Sequence, residues 1–206
     1  SLRSSAGDVV QQAGAAINVS PAVANSGSTA TEPSVRIDAA AAIVVTRVDA
    51  TSGSIALVAR GGSVIDGDTS SDDADLSATT LLIDSAAAIG SGTRTQAFAS
   101  SANAIDIAVD RLAARAGSSI RLLEQDSVRM DSVSIASRIA QTDRVAATTV
   151  VAALTGLLSD SGEILFEGAS PSGATIRIEA GAAIMTRGVR SEEHTSELQS
   201  RLHLVC

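Results

Sequence analysis

The chain has 206 residues, 45% of them hydrophobic and only 1% aromatic, and it carries 15 basic residues, all arginine, against 23 acids for a net charge of −8. That length is ample for one core, but a core with Phe98 and Phe166 as its only aromatics must be assembled from Ala, Val, Ile and Leu. The acidic balance excludes a nucleic-acid partner, whose phosphates need a basic face, and the lack of any 18-residue apolar run excludes a membrane span in this stretch.

From the N-terminus onward, short apolar runs alternate with period two. Val35/Ile37, Ile55/Leu57, Leu81/Ile83, Ile105/Ile107/Val109, Ile120/Leu122, Val133/Ile135, Ile164/Phe166 and Ile176/Ile178 are the clearest. This spacing places the side chains on one face of a strand. Between the runs lie "TSGS", "RGGS", "DGDTSSDD", "GSGT", "AGSS", "SDSG" and "PSG", rich in residues that turn the backbone or cap it. Many short strands joined by turns predict an all-β chain. Two segments also fit helical spacing: Val150, Val151, Leu154, Leu157 and Leu158, and Ile105, Val109 and Leu112. For residues 140 to 158 strand and helix both stay open; at 105 to 116, Ile107 fits the strand register better.

Repetition adds a second level. "VRIDAAAAIVVTR" (Val35 to Arg47) returns as "IRIEAGAAIMTR" (Ile176 to Arg187), and "SAGDVV" (Ser5 to Val10) resembles "DSGEIL" (Asp160 to Leu165). The copies, at about 5–47 and 160–187, define a long repeat built of strand-turn units, the mark of a stacked array. Stacking lets strands too short to bury much area alone enclose their Val, Ile and Leu against identical neighbours.

The stretches "GSIALVARGGSVIDGD" (Gly53 to Asp68), "ADLSATTLLIDSAAAIGSG" (Ala74 to Gly92) and "NAIDIAVDRLAARAGSSIRLLEQDSV" (Asn103 to Val128) resemble the repeats of large bacterial exoproteins of the filamentous-haemagglutinin-like kind. The resemblance spans roughly residues 5 to 189. It implies a right-handed parallel β-helix, a solenoid open at both ends, serving as the shaft of a secreted or surface-attached adhesin whose full length meets host or neighbouring-cell surface molecules. It implies no catalytic residue, no cofactor and an extracellular or cell-surface location. No signal peptide opens the chain, which reads as an internal piece.

Few residues invite chemistry. Asp66, Asp68, Asp72, Asp73 and Asp75 form an acidic cluster that is a weak Ca²⁺ candidate, although its spacing matches neither the EF-hand loop nor the glycine-rich Ca²⁺-binding nonapeptide. "GGSVIDGD" lacks the Lys and Gly spacing of a phosphate loop, and "NVS" (Asn18 to Ser20) matches a three-residue glycosylation acceptor. Glu124, Asp126, Asp131, Glu163, Glu167 and Glu179 are the carboxylates from which a sugar-cleaving pair would have to come. They define the alternative reading, a carbohydrate-binding or carbohydrate-cleaving parallel β-helix module.

Both histidines and the single cysteine, His194, His203 and Cys206, fall in the last sixteen residues. There the alternation ends, and Arg190 to Ser200, "RSEEHTSELQS", resembles a translated short-read sequencing adapter. Residues 190–206 are therefore expected to be a non-native, disordered tail, which leaves residues 1–189 without imidazole or thiol.

Overall fold

The computed structural model describes residues 1–19, 34–67, 73–91, 104–139, 147–168, 175–187 and 203–205. In chain order the strands are β1 (Leu2–Ser4), β2 (Val9–Val10), β3 (Ile17–Asn18), β4 (Ser34–Ala39), β5 (Ile43–Val45), β6 (Val48–Ala59), β7 (Val64–Asp66), β8 (Leu76–Ser85) and β9 (Ile105–Ala116). They continue as β10 (Ile120–Glu124), β11 (Val128–Met130), β12 (Ser132–Ile139), β13 (Ala147–Thr155), β14 (Leu157–Ser159), β15 (Ile164–Gly168), β16 (Ile176–Ile178), β17 (Ile184–Thr186) and β18 (His203–Val205). The all-β expectation holds: no helix occurs among the described residues, and every strand pairing is parallel except that of β12 with β13.

The parallel register superimposes residues of one kind. In the first ladder Leu2, Ile37, Leu57, Ile83, Ala114, Leu157 and Ile184 follow one another strand by strand. The second runs Val9, Ile43, Val64, Ile89, Ile120, Ile164, and the third Ile17, Val48, Leu76, Ile107. The chain visits the three ladders in this order repeatedly. Their side chains meet in one core in which Ile43, Leu57, Leu76, Ile83, Ile89, Ile107 and Ile120 are wholly buried. Each such side chain contributes about 1.5–3 kcal/mol through apolar burial. Phe166 stacks over Leu122 and Ile105 in this interior.

The corners explain the glycine and serine content. A Cβ on Gly117 would stand 2.1 Å from the carbonyl oxygen of Ala86, so successive turns of chain approach closely there only because no side chain intervenes. At the position just before the corner, in register with Ala116, Ser85 and Ser159 are buried, and each hydroxyl bonds the turn beside it. Ser85 Oγ donates to the carbonyls of Gly62 or Ala88 at 3.0 Å, and Ser159 Oγ bonds the carbonyl of Ser118 and accepts the N–H of Gly162 at 2.9 Å. Each thereby satisfies backbone groups that the ladder leaves open at a bend.

The segment open to both readings is strand. β12 and β13 form an antiparallel hairpin with an irregularity between Val133 and Ile135. The β-branched run Thr148 to Val151 favours the extended backbone, and Gly156, at φ +68°, separates Leu157 from the run that a helix would have needed. Met130 pairs with Leu112 and Leu157 with Ala114, so residues 131 to 156 leave and re-enter the sheet opposite one residue, Ala113. The exit is closed by the N–H of Gly156 on the carbonyl of Asp131, at 3.1 Å. The hairpin folds back over the outer face of the sheet. Val133, Ile135 and Val151 bury there against Ala56, Val58, Leu82 and Ala113 in a second, separate apolar cluster.

The repeat copies map onto the ladders unevenly. Val9 and Ile164, matched in "SAGDVV" and "DSGEIL", occupy the same ladder. Ile43 and Ile184 do not: Ile43 lies in the second and Ile184 in the first. The segment from Ile178 to Ile184 bends at Gly181, with φ +87°, and returns to the side of the sheet it left. In the tail, His203–Val205 is a strand parallel to β15, an exception to the disorder expected of residues 190–206; the other tail residues, His194 and Cys206 among them, lie outside the described residues.

Candidate functional site

Of the acidic cluster, Asp68 and Asp72 lie outside the described residues. The other three point to separate tasks. Asp75 is buried, and its Oδ2 accepts the N–H of Asp106 at 2.9 Å, a carboxylate cap on the start of β9. Asp73 is exposed and paired with Arg47 at 3.2 Å, and Asp66 ends β7. Among the described residues no group of three or more His, Cys, Asp or Glu side chains converges as a metal site would require. Asn18 is exposed on β3, and Ser20 of its motif lies outside the described residues. Gly61 and Gly62 pack against the backbone of Ala40 to Ala42, with no room for a Cβ and none for a phosphate.

Four of the carboxylates considered for sugar cleavage are dispersed by the register. Asp131 bonds Arg111 at 2.8 Å, Glu163 faces Arg121 at 3.5 Å and Glu179 bonds Arg177 at 3.0 Å. The N–H of Ser132 and the guanidinium of Arg111 hold Asp131 below the usual aspartate range, while burial pushes Glu167 up against the opposing charge of Arg121.

Glu124 is different. It ends β10 facing inward, over Ile107 of the third ladder and opposite Gly168 of β15, and it is fully buried. Its Oε1 accepts the N–H of Asp126 at 3.1 Å and of Val109 at 3.4 Å, while Oε2 has no partner. β10 ends over Ile107 and β11 resumes over Arg111, so the backbone of Val109 meets a bend instead of a strand. The carboxyl fills that gap. Burial, reinforced by the neighbouring Asp126 carboxyl, pushes its pKa up to about 9.

Two arrangements escaped residue-by-residue reading. On the outer face of β4, Asp38 receives Arg60 through Nε at 2.8 Å and Nη2 at 2.7 Å, and Arg36 through Nη2 at 2.9 Å. The Asp38 and Arg36 side chains are 5% and 8% exposed, and Arg36 Nε and Nη1 have no partner. Despite desolvation, these bonds hold Asp38 below the usual carboxylate range. The signal was present in the matched "VRID" and "IRIE": Arg36 pairs with Asp38 as Arg177 pairs with Glu179, two residues apart on one side of a strand. The other arrangement is a ladder of like charge, Arg111, Arg129 and Arg177 in register on β9, β11 and β16. Beside it opens a groove of about 360 Å³ lined by Asp110, Ser127, Val128, Arg129, Thr175 and Arg177. A second groove, of about 240 Å³, lies between Gly14–Ala16 and the Arg47–Asp73 pair.

Comparison with known proteins returns no match to this chain among protein-family models, curated proteins or solved structures.

Proposed function

We propose that this chain is a segment of a right-handed parallel β-helix that serves as a rigid shaft in a large secreted or surface-attached bacterial adhesin, without catalysis of its own. The observation that supports the reading most is the continuity of the ladders. Seven strands contribute one residue each to the line from Leu2 to Ile184, and the carboxylates along the way are spent on corners and arginines instead of converging. A column of this kind works through length and stiffness, because each added strand lengthens it by about 4.8 Å. Apolar side chains stay exposed on the outermost strands at both ends, Leu2 at 48% and Ile178 at 45%, as stacking surfaces for further turns of the same kind.

The test is an in-frame deletion of residues 34 to 187 in the native adhesin, examined by electron microscopy of the surface fibre. Removing the six ladder positions from Ile37 to Ile184 is expected to shorten the fibre by about 30 Å, six strand spacings, and to leave adhesion by distal regions intact. An unchanged fibre length, or glycan cleavage by the purified chain, refutes the reading.

A further inference from the structure

The arginine ladder and its groove go beyond a shaft. Arg111, Arg129 and Arg177 are Cα partners on three adjacent parallel strands, which sets neighbouring side chains about 4.8 Å apart. Like charges placed directly opposite one another disfavour the pairing unless counter-charges intervene. Two of the three have them: Asp131 takes Arg111 through Nε at 3.1 Å and Nη2 at 2.8 Å, and Glu179 takes Arg177 Nε at 3.0 Å. The guanidinium of Arg129, the middle rung, is exposed and has no ion pair or hydrogen bond among the described residues; Asp131, bonded to Arg111, acts on it only at longer range. The six residues before Thr175, Ala-Ser-Pro-Ser-Gly-Ala, carry no charge.

The rest of the groove supplies a matching set of groups. Asp110 lines it together with Arg129 and Arg177 but forms no ion pair with either. Ser127 Oγ accepts the N–H of Thr175 at 3.0 Å, which fixes the hydroxyl at the groove wall with its own proton free to donate. Val128 lies at the base, its N–H bonded to the carbonyl of Thr175 at 3.0 Å. Two cations, a carboxylate acceptor and a hydroxyl lining one groove are complementary to a molecule bearing both an oxyanion and hydroxyl groups. Guanidinium forks suit a planar carboxylate, and Asp110 can accept only from a donor such as a sugar hydroxyl. A space of about 360 Å³ lies at the small end of ligand sites.

We propose that this groove binds a hydroxylated carboxylic acid of monosaccharide size, its carboxylate on Arg129 and Arg177 and a hydroxyl on Asp110. The test is calorimetric titration of the full chain with galacturonate, with galactose as the neutral control, at low and high salt. Galacturonate is expected to bind roughly tenfold or more tightly than galactose, with affinity falling as salt rises. R129Q is expected to weaken galacturonate roughly tenfold, the loss of one charge-assisted contact. R115Q, whose arginine pairs with Asp84 away from the groove lining, is expected to bind as the wild type does. Arg129 is exposed and unpaired, so R129Q keeps the wild-type circular dichroism and melting temperature. Polygalacturonate at equal uronate concentration separates the sources: tighter binding identifies an acidic polysaccharide, equal binding a free acid. Equal affinity for galacturonate and galactose, undiminished binding by R129Q, or no heat with galacturonate up to about 20 mM, a free energy of only about −2.3 kcal/mol, overturns the proposal.

Discussion

Replacing Glu124 with Gln removes the titration of a buried carboxyl while keeping its shape and its acceptor oxygen for the N–H groups of Val109 and Asp126. In the folded chain the pKa of Glu124 stands at about 9, against 4.5 for an ordinary glutamate. Between those values the folded state holds a proton that the unfolded state releases, so stability falls as pH rises. The wild-type contribution is intact below pH 4.5 and is lost as pH climbs through 9. At pH 7 the separation of 2.5 units corresponds to about 3 kcal/mol at 1.36 kcal/mol per unit, and above pH 9 the full separation corresponds to about 6 kcal/mol. E124Q has no such slope from this position. Its urea midpoint is expected to coincide with wild type near pH 4.5 and to exceed it progressively to pH 9, the free-energy difference growing by about 1.4 kcal/mol per pH unit. A difference between the two proteins that is flat with pH would show that Glu124 is solvated or paired, and would refute the account of the gap it fills.

D38N is expected to destabilise the chain by about 3–5 kcal/mol in urea denaturation at pH 7, because Arg36 is left as a buried cation without its counter-charge. R60Q, removing the partner whose side chain is 53% exposed, should cost less than about 1 kcal/mol. Since the Asp38 pKa is depressed, the benefit of Asp38 over Asn is present above the ordinary aspartate range and disappears as pH falls through the folded value. Replacing residues 131 to 156 with a single alanine should preserve the circular dichroism of the parallel strands while uncovering Ala56, Val58, Leu82 and Ala113, read out as new binding of a hydrophobic dye; a chain that loses its strand signal would show that the hairpin holds the ladders together.

The apolar alternation located the strands because the register rewards it directly: Ile55/Leu57 and Leu81/Ile83 point inward two residues apart and superimpose as Ile55 on Leu81 and Leu57 on Ile83. Less legible was which outer faces are also covered. Ala56, Leu82 and Ala113 are apolar and buried under the hairpin, but within the alternation of β6, β8 and β9 they read only as residues between the inward positions. The hairpin itself was ambiguous because Val151 and Leu154 stand three apart, a helical spacing that a strand meets only through the irregularity between the Val133–Leu154 and Ile135–Val151 pairs, and only its return to Ala113 decides between them. The tasks of single buried carboxylates were illegible for a different reason. Composition counts carboxylates, whereas Asp75 and Glu124 are placed one at a time where a bend leaves N–H groups open, and that need depends on the neighbouring turn of chain. The arginine ladder is likewise invisible in a linear reading, since Arg111, Arg129 and Arg177 are separated by 18 and 48 residues.

The excursion between Met130 and Leu157 has a consequence for how the chain can change. Because it departs and returns opposite Ala113 alone, with Asp131 and Gly156 bonded at its neck, its length does not enter the register of the strands on either side. Lengthening such a loop adds only about 0.6 kcal/mol per doubling in closure entropy. The point between Met130 and Leu157, opposite Ala113, is thus a site where sequence can be gained, lost or exchanged while the interior stays in step, so the surface and the core of this protein are free to diverge at different rates.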